Sequence, residues 1–526
     1  MKKYFIILFV LTLALSTFAS GSKGEAAAEG AEFIIWNGGE PEAVDPHLIS
    51  GVTEHRISYS LFEGLMTDDP KDASPIPGLA ESWEVSGGGT IYTFKLRKTT
   101  WSDGVPITAQ QVKDSWLRML SPEMATPYAW FPAMFIKGAE DYNAGKAGPE
   151  AVAIKAIDDY TFQLETVGPM PYVLGALTHY AFAVVPLHAI EKYGKEWTSP
   201  ENFVGNGPFV LDEWKPQEKL SCVPNPKYWD KDTVKLGRVT YIPNEDNNTG
   251  YNMYLNGEVD WGHEVPKDQI DSAKLRDDYQ SAPYLGTYYY IFQNEKPPFD
   301  DARVRKALSL VVDRKTLVDK VTRSGEVSAY KMVPDGMAGY PGIKGLGEDV
   351  AKAKKLLAEA GYPDGKGFPP FEILHNTSES HKKIAEYIQQ EWKEKLGVAC
   401  TIVNQEWKTY LSTRRAGEFQ VSRAGWIGDY QDPNTFLDMF VSGTAMNGGR
   451  YSNTKFDEII AKAARMPAGK ERMETLMAAE RYFIEDDQAI MPIYHYTSKN
   501  MIDLSKWGGW YVNLMDYHPT KFIYKK

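Results

Sequence analysis

Between residues 379 and 397 the chain reads ESHKKIAEYIQQEWKEKLG, with apolar residues at every fourth position: Ile384, Ile388, Trp392 and Leu396. That spacing stacks them on one face of a helix, and Gly397 supplies a terminator. The β-branched run that follows, GVACTIV, predicts a strand, so helix and strand alternate and pack as layers. Upstream, ARVRKALSLVVDRKTLVDKV predicts an amphipathic helix, and DVAKAKKLLAEAGYP another that ends on a Gly and a Pro. From about residue 300 the pattern is therefore α/β. The earlier part is richer in strands and turns. There YTFKL alternates as a strand, Asp103-Gly104 marks a turn, and a helix follows whose Thr108 and Gln111 have capping-box spacing.

The segment NQEWKTYLSTRRAGEFQ predicts a helix that puts Trp407, Tyr410, Leu411 and Arg414 on one face before Gly417 ends it. Next, FQVSRAGWIGDY predicts a strand running into a Gly-rich bend. An indole, a guanidinium and a carboxylate thus meet among apolar residues, where an unpaired charge is expensive to bury. From the residues alone, two readings of Asp429 stand. It is one arm of an internal salt bridge to Arg414, Arg415 or Arg423, or it waits for a charged ligand.

At its start the chain has two lysines, an apolar run from Tyr4 to Leu15 and small residues at 19–21, the layout of a secretory signal peptide over 1–21. Residues 22–30 then predict a flexible leader. The apolar run is shorter than the roughly 18 residues of a membrane span. Without a cysteine at the cleavage region a lipid anchor is not expected, so the mature chain should be periplasmic and soluble. With 526 residues, two or three domains are expected. A net charge of -12 with no basic stripe argues against nucleic acid. Cys222 and Cys400 both lie in strand-like segments, and two buried free thiols are expected.

No G-x-S-x-G, H-E-x-x-H, Walker A or strand-to-helix G-x-G-x-x-G pattern occurs, and the nine histidines are scattered. No catalytic residue, metal site or cofactor is predicted, although a glycosidase would need no sequence motif for its two acids.

Several segments resemble the periplasmic oligopeptide-binding proteins of ABC importers, within the extracellular solute-binding family 5. They include DPHLISGVTEHRISYSLFEGL, PGLAESWEVS, YTFKLRKTTWSDGVPITAQQV, GNGPFVLDEW, NPKYWD, TYYYIFQNEKPPFDDARVRKAL, HNTSESHKK, NQEWKTYLSTR and RAGWIGDY. The resemblance spans nearly all of the mature length. It implies an α/β, two-lobed periplasmic-binding-protein clamp of the class II type with a small inserted domain, three domains in all. Domain I would be discontinuous, over 31–62, 184–285 and 495–526; domain II would be inserted at 63–183, and domain III would cover 286–494. The implied function is to bind short peptides between the lobes and deliver them to a membrane ABC permease with cytoplasmic ATPase subunits, as a monomer.

The resemblance also implies roles for residues. Asp429 would receive the peptide α-amino group, and Arg414, Arg423 and His381 would be cations for a carboxylate whose depth depends on peptide length. Trp407, Trp426, Tyr128, Tyr284 and Tyr289 would wall side-chain pockets, with Asn376 beside them. Two departures stand out. Gly286 and Ile427 occupy positions where enteric members carry a cysteine pair, so packing must replace that bridge. Ser50 stands where some relatives have an acidic residue. The same scaffold carries other solutes, such as murein peptide, nickel chelate or haem, and a secreted enzyme or a chaperone are readings from other classes.

Overall fold

The computed structural model describes residues 30–337 and 339–526. The expected signal peptide, and the leader up to residue 29, lie outside the described residues.

Three sheets organise the chain. In the largest, seven strands run in the order 279–280, 500–502, 261–262, 31–38, 236–243, 219–224, 209–215. Its central strand Ala31–Gly38 is parallel to Leu236–Pro243 and to Trp261–Gly262. Such strands are covered on both faces, which suits the run Phe33, Ile35 and Trp36, all fully buried. The second sheet has six strands in the order 327–328, 490–497, 283–292, 421–427, 372–376, 401–405. Glu379–Leu396 packs on it through Ile384, Ile388, Trp392 and Leu396, and Gly397 closes the helix at a φ of 69°. The third sheet is antiparallel, built from Ala80–Ser86, Ile91–Leu96, Thr161–Glu165 and Ile154–Asp158.

The chain crosses between the two large sheets at two adjacent points. Residues 281–282 link the strand Tyr279–Gln280 to Pro283–Phe292, and Ser498–Lys499 lead from Ile490–Thr497 to Asn500–Ile502. These crossovers are tied to each other, since the Ser498 amide donates to the Ala282 carbonyl at 2.9 Å and the Ala282 amide to the Ser498 hydroxyl at 3.2 Å. Two side-by-side connections of this kind form a hinge.

Local expectations meet the structure in detail. Thr108 and Gln111 make the reciprocal capping box of the helix Ala109–Leu120. The segment from Ala302 is not one helix: it stops at Leu310, restarts on an Asp313 cap and ends as a π-helical turn at Leu317–Thr322. The Asp313 carboxylate binds the Thr316 amide, which competes with continuing the first helix. Both cysteines are free, but only Cys222 is buried; Cys400 is half-buried, at the mouth of the strand Thr401–Gln405. Among the described residues no helix is long and apolar enough to cross a membrane.

Candidate functional site

Residues from both large sheets line a cavity of about 320 Å³, and a smaller compartment of about 100 Å³ continues it. Val52, Trp407, Arg423, Gly425 and Ile427 wall both. Asp429 and Arg414 line only the smaller one; Arg423 stands where they meet.

The strand Val421–Ile427 supplies the floor. On one side it pairs with Pro283–Phe292 over its whole length. On the other, Glu372–Asn376 pairs only with Val421 and Ser422, so from Arg423 to Ile427 this edge carries no neighbouring strand among the described residues. An open edge offers main-chain hydrogen bonds to an extended chain. Gly425 sits in the middle of it, and a Cβ there would lie 2.4 Å from the Tyr496 hydroxyl. Gly286 and Ile427 are cross-strand partners. A Cβ on Gly286 would meet the Ile427 side chain at 2.4 Å, so isoleucine over glycine fills the place of a bridge.

Asp429 follows this strand and is 7% exposed. Its carboxylate accepts from the Tyr128 hydroxyl at 3.3 and 3.4 Å, and His179 Nε2 lies 3.4 Å away. Both neighbours are neutral. Burial pushes the His179 imidazole down to about 3, and because its Nδ1 accepts from the Ala181 amide, the proton sits on Nε2, facing the carboxylate. Burial in turn pushes the Asp429 carboxyl well above the usual carboxylate range, and the Tyr128 bond offsets only part of this. No arginine pairs with Asp429 among the described residues. Arg415 goes instead to Glu42, at 3.0 Å, and to the Ser50 hydroxyl. The internal salt bridge is thereby ruled out as the reason for Asp429.

Arg414 and Arg423 have no carboxylate partner among the described residues either. Arg423 donates to Asn376 Oδ1 at 3.2 Å and to the Tyr496 hydroxyl at 3.1 Å and lies over the Tyr288 ring, while its Nε has no partner. Arg414 comes from the last turn of Trp407–Ala416, whose Glu406 cap and Gly417 terminus set which face meets the cavity. Its guanidinium rests over Tyr410. The small compartment is thus lined by a buried acid and by two unpaired cations, Arg414 buried and Arg423 half-buried. Neither is compensated by protein, which is costly unless a ligand supplies the counter-charges.

Trp426 and Tyr128 line the small compartment, and Tyr284, Asn376 and His381 the large one. Tyr128 and Trp426 stack with centroids 6.4 Å apart, closing an aromatic wall. Two expectations need correction. Tyr289 lines neither compartment: it is 1% exposed and packs against Phe440. His381 lines the larger compartment but is no cation there, because burial pushes its pKa well below the usual value and the Arg423 guanidinium adds to this. It acts there as a neutral hydrogen-bonding group, 3.3 Å from the Tyr288 hydroxyl. His179 and Tyr496 were not anticipated. Each is remote in sequence from what it touches, and an isolated histidine in an apolar run reads as structural.

Paired crossovers between two large sheets, with a cavity lined from both that carries an acid and two arginines, define a two-lobed solute-binding protein. The family model for bacterial extracellular solute-binding proteins, family 5 Middle, matches residues 74–448, and the chain belongs to that family. The periplasmic oligopeptide-binding protein OppA of Escherichia coli is 39% identical over 499 residues, covering 93% of this chain and 91% of that protein. A crystal structure of the periplasmic oligopeptide-binding protein OppAIV from Borrelia burgdorferi has a TM-score of 0.91 at 38% identity, covering 94% of this chain and 100% of that one. The Haemophilus influenzae OppA complex with RPPGFSPFR has a TM-score of 0.89 at 33% identity, covering 94% and 99%.

Proposed function

We propose that the chain is the periplasmic receptor of an ABC peptide importer. It encloses a short extended peptide between its lobes and hands it to a membrane permease driven by cytoplasmic ATPase subunits. The observation that carries this reading is one compartment, beside an open strand edge, lined by the buried acid Asp429, the buried Arg414 and the half-buried Arg423, none of which has a charged partner of opposite sign among the described residues. A peptide is a zwitterion with a backbone between its charges, and it fills all three requirements. Asp429 takes the α-amino group. Arg414, in the same compartment, takes the carboxylate of the shortest ligands, and Arg423 that of longer ones. Trp407, Trp426, Tyr128 and Tyr284 wall the side-chain spaces, and Asn376 holds the Arg423 fork. The likeness to oligopeptide-binding relatives supports the same reading. In this reading the first lobe holds 31–62, 184–285 and 495–526, with 63–183 inserted, and the second lobe holds 286–494; the crossovers at 281–282 and 498–499 favour moving its two edges outward by about four residues each.

Native mass spectrometry of the purified protein tests the function. Short peptides of mixed sequence should leave with it; an empty protein that turns over a substrate would overturn the reading.

Proton uptake and release should accompany binding. In the empty cavity Asp429 holds a proton up to its raised pKa, and an arriving ammonium drives that proton off. The bound state then carries fewer protons on this group, so affinity should rise with pH until the empty-site value is passed. It should fall again as the peptide amine, with a pKa of about 8, loses its charge. Calorimetry of tri-alanine in buffers of differing ionisation enthalpy should show net proton release below that maximum; proton-neutral binding throughout would contradict it.

A further inference from the structure

The residue after Asp429 leaves the cavity altogether. Tyr430 is 2% exposed and lines neither compartment; its ring lies among three aromatic side chains of the inserted segment 63–183. Tyr172 stacks on it with centroids 4.7 Å and planes 11° apart, Phe131 lies alongside at 5.8 Å, and Phe135 meets it edge-on at 5.9 Å. Tyr172 also carries the Arg472 guanidinium 4.9 Å from its ring centre, and Asp432 holds that guanidinium at 2.7 and 2.9 Å. The backbones of the two parts also touch. A Cβ on Gly168 would lie 2.7 Å from Arg465 Cα and 2.9 Å from the Ala464 carbonyl oxygen. Gln431 adds a hydrogen bond to the Asp72 carbonyl at 2.9 Å.

The bland alternative is one continuous core that never opens. Against it, the segment 63–183 is fixed to the first lobe, where Arg118 makes a two-point bond to Asp45 at 2.6 and 3.3 Å and the Ser102 amide donates to the Gly205 carbonyl at 2.9 Å. Tyr430, Asp432, Arg465 and Arg472 lie in the chain between the two crossovers, so only the hinge links them covalently to that segment. The crossover residues Ser498 and Lys499 border the larger compartment, whereas Tyr430 adjoins Asp429 in the smaller one. Hinge motion therefore parts these rings, and closure brings them together.

We propose that Tyr430, seated against Phe131, Phe135 and Tyr172, is a closing clasp, and that the inserted segment is the jaw that receives it. The proposal deepens the peptide reading of the cavity and rests on it. Asp429 and Tyr430 are consecutive, so the motion that encloses the ligand amine also docks the ring. None of the four clasp rings lines either compartment, so docking contributes the same free energy whatever peptide is enclosed. Observed affinity is the intrinsic affinity of the closed cleft reduced by the fraction of protein able to close, so the clasp scales every affinity by one factor. Cavity residues choose the peptide; the clasp sets how tightly all peptides are kept.

Gly168→Val tests the clasp without touching the cavity, because the three atoms nearest its Cβ all belong to the second lobe. Calorimetry of the full mature protein with tri-alanine, tetra-alanine and tri-lysine should show affinities weaker by about 10- to 100-fold, with the three losses equal within about threefold. No loss, or a loss confined to one peptide, overturns the proposal. A second variant needs no ligand. In Gly175→Cys, Tyr430→Cys the two Cβ positions lie 3.8 Å apart, within reach of a disulfide. Oxidised, this variant should scatter X-rays as a compact, closed molecule with no peptide added; reduced, it should be open. Failure of the bond to form, or one scattering profile in both states, overturns the clasp. Failure of tri-alanine to bind the wild type strikes the peptide reading instead, and the disulfide variant then decides the clasp by itself.

Discussion

Asp429→Asn is expected to weaken tri-alanine binding by about 100-fold or more, because breaking a buried charged pair costs about 3 kcal/mol or more and each 1.4 kcal/mol is tenfold. Asparagine keeps the shape and still accepts the Tyr128 hydroxyl, so the loss isolates charge. Tyr128 and His179 cannot replace it, being neutral donors themselves. The empty variant should be no less stable than the wild type. A carboxyl raised above its unfolded value stabilises the fold only while protonated, and that contribution drains away as pH rises toward the folded pKa. At neutral pH the substitution removes a liability, so the melting temperature of the ligand-free protein should hold or rise.

Arg423→Met should cost about 2 to 5 kcal/mol in tri-alanine affinity, since it leaves the ligand carboxylate enclosed without its fork. Methionine keeps the apolar stem and removes the guanidinium, whose carbon lies 4.8 Å from the centre of the Tyr288 ring. The same change should affect a dipeptide less, because Arg414 shares the small compartment with Asp429 and remains in place. Equal losses for dipeptide and tripeptide, measured by calorimetry, would make Arg423 a structural arginine held by Asn376 and Tyr496.

The helices and strands around the site were legible because local signals agree with the fold. The four-residue spacing from Ile384 to Leu396, the Thr108 capping box and the glycine ends at 397 and 417 each act within a few residues. What sequence could not decide was which charges pair. Arg414 and Arg415 are adjacent, yet one faces the cavity and the other bonds Glu42, 373 residues away. The Tyr128 contact to Asp429 spans 301 residues. Tyr289 illustrates a further limit. Its neighbours Tyr288 and Tyr290 point to the opposite side of the strand, but both sides are covered, so alternation does not mark which ring meets a ligand. For His381, burial in the assembled cavity pushes the imidazole pKa well below its usual value, an effect no local stretch of sequence shows.

The central claim is that Asp429 and the peptide amine are the two halves of one interaction. A thermodynamic cycle tests it directly: tri-alanine and N-acetyl-tri-alanine are each titrated into the wild type and Asp429→Asn. Acetylation should weaken wild-type binding by about 100-fold or more and the variant's by less than about tenfold, since a pair already broken cannot be broken twice. Independent, additive losses from the two changes would contradict the account and place the amine elsewhere.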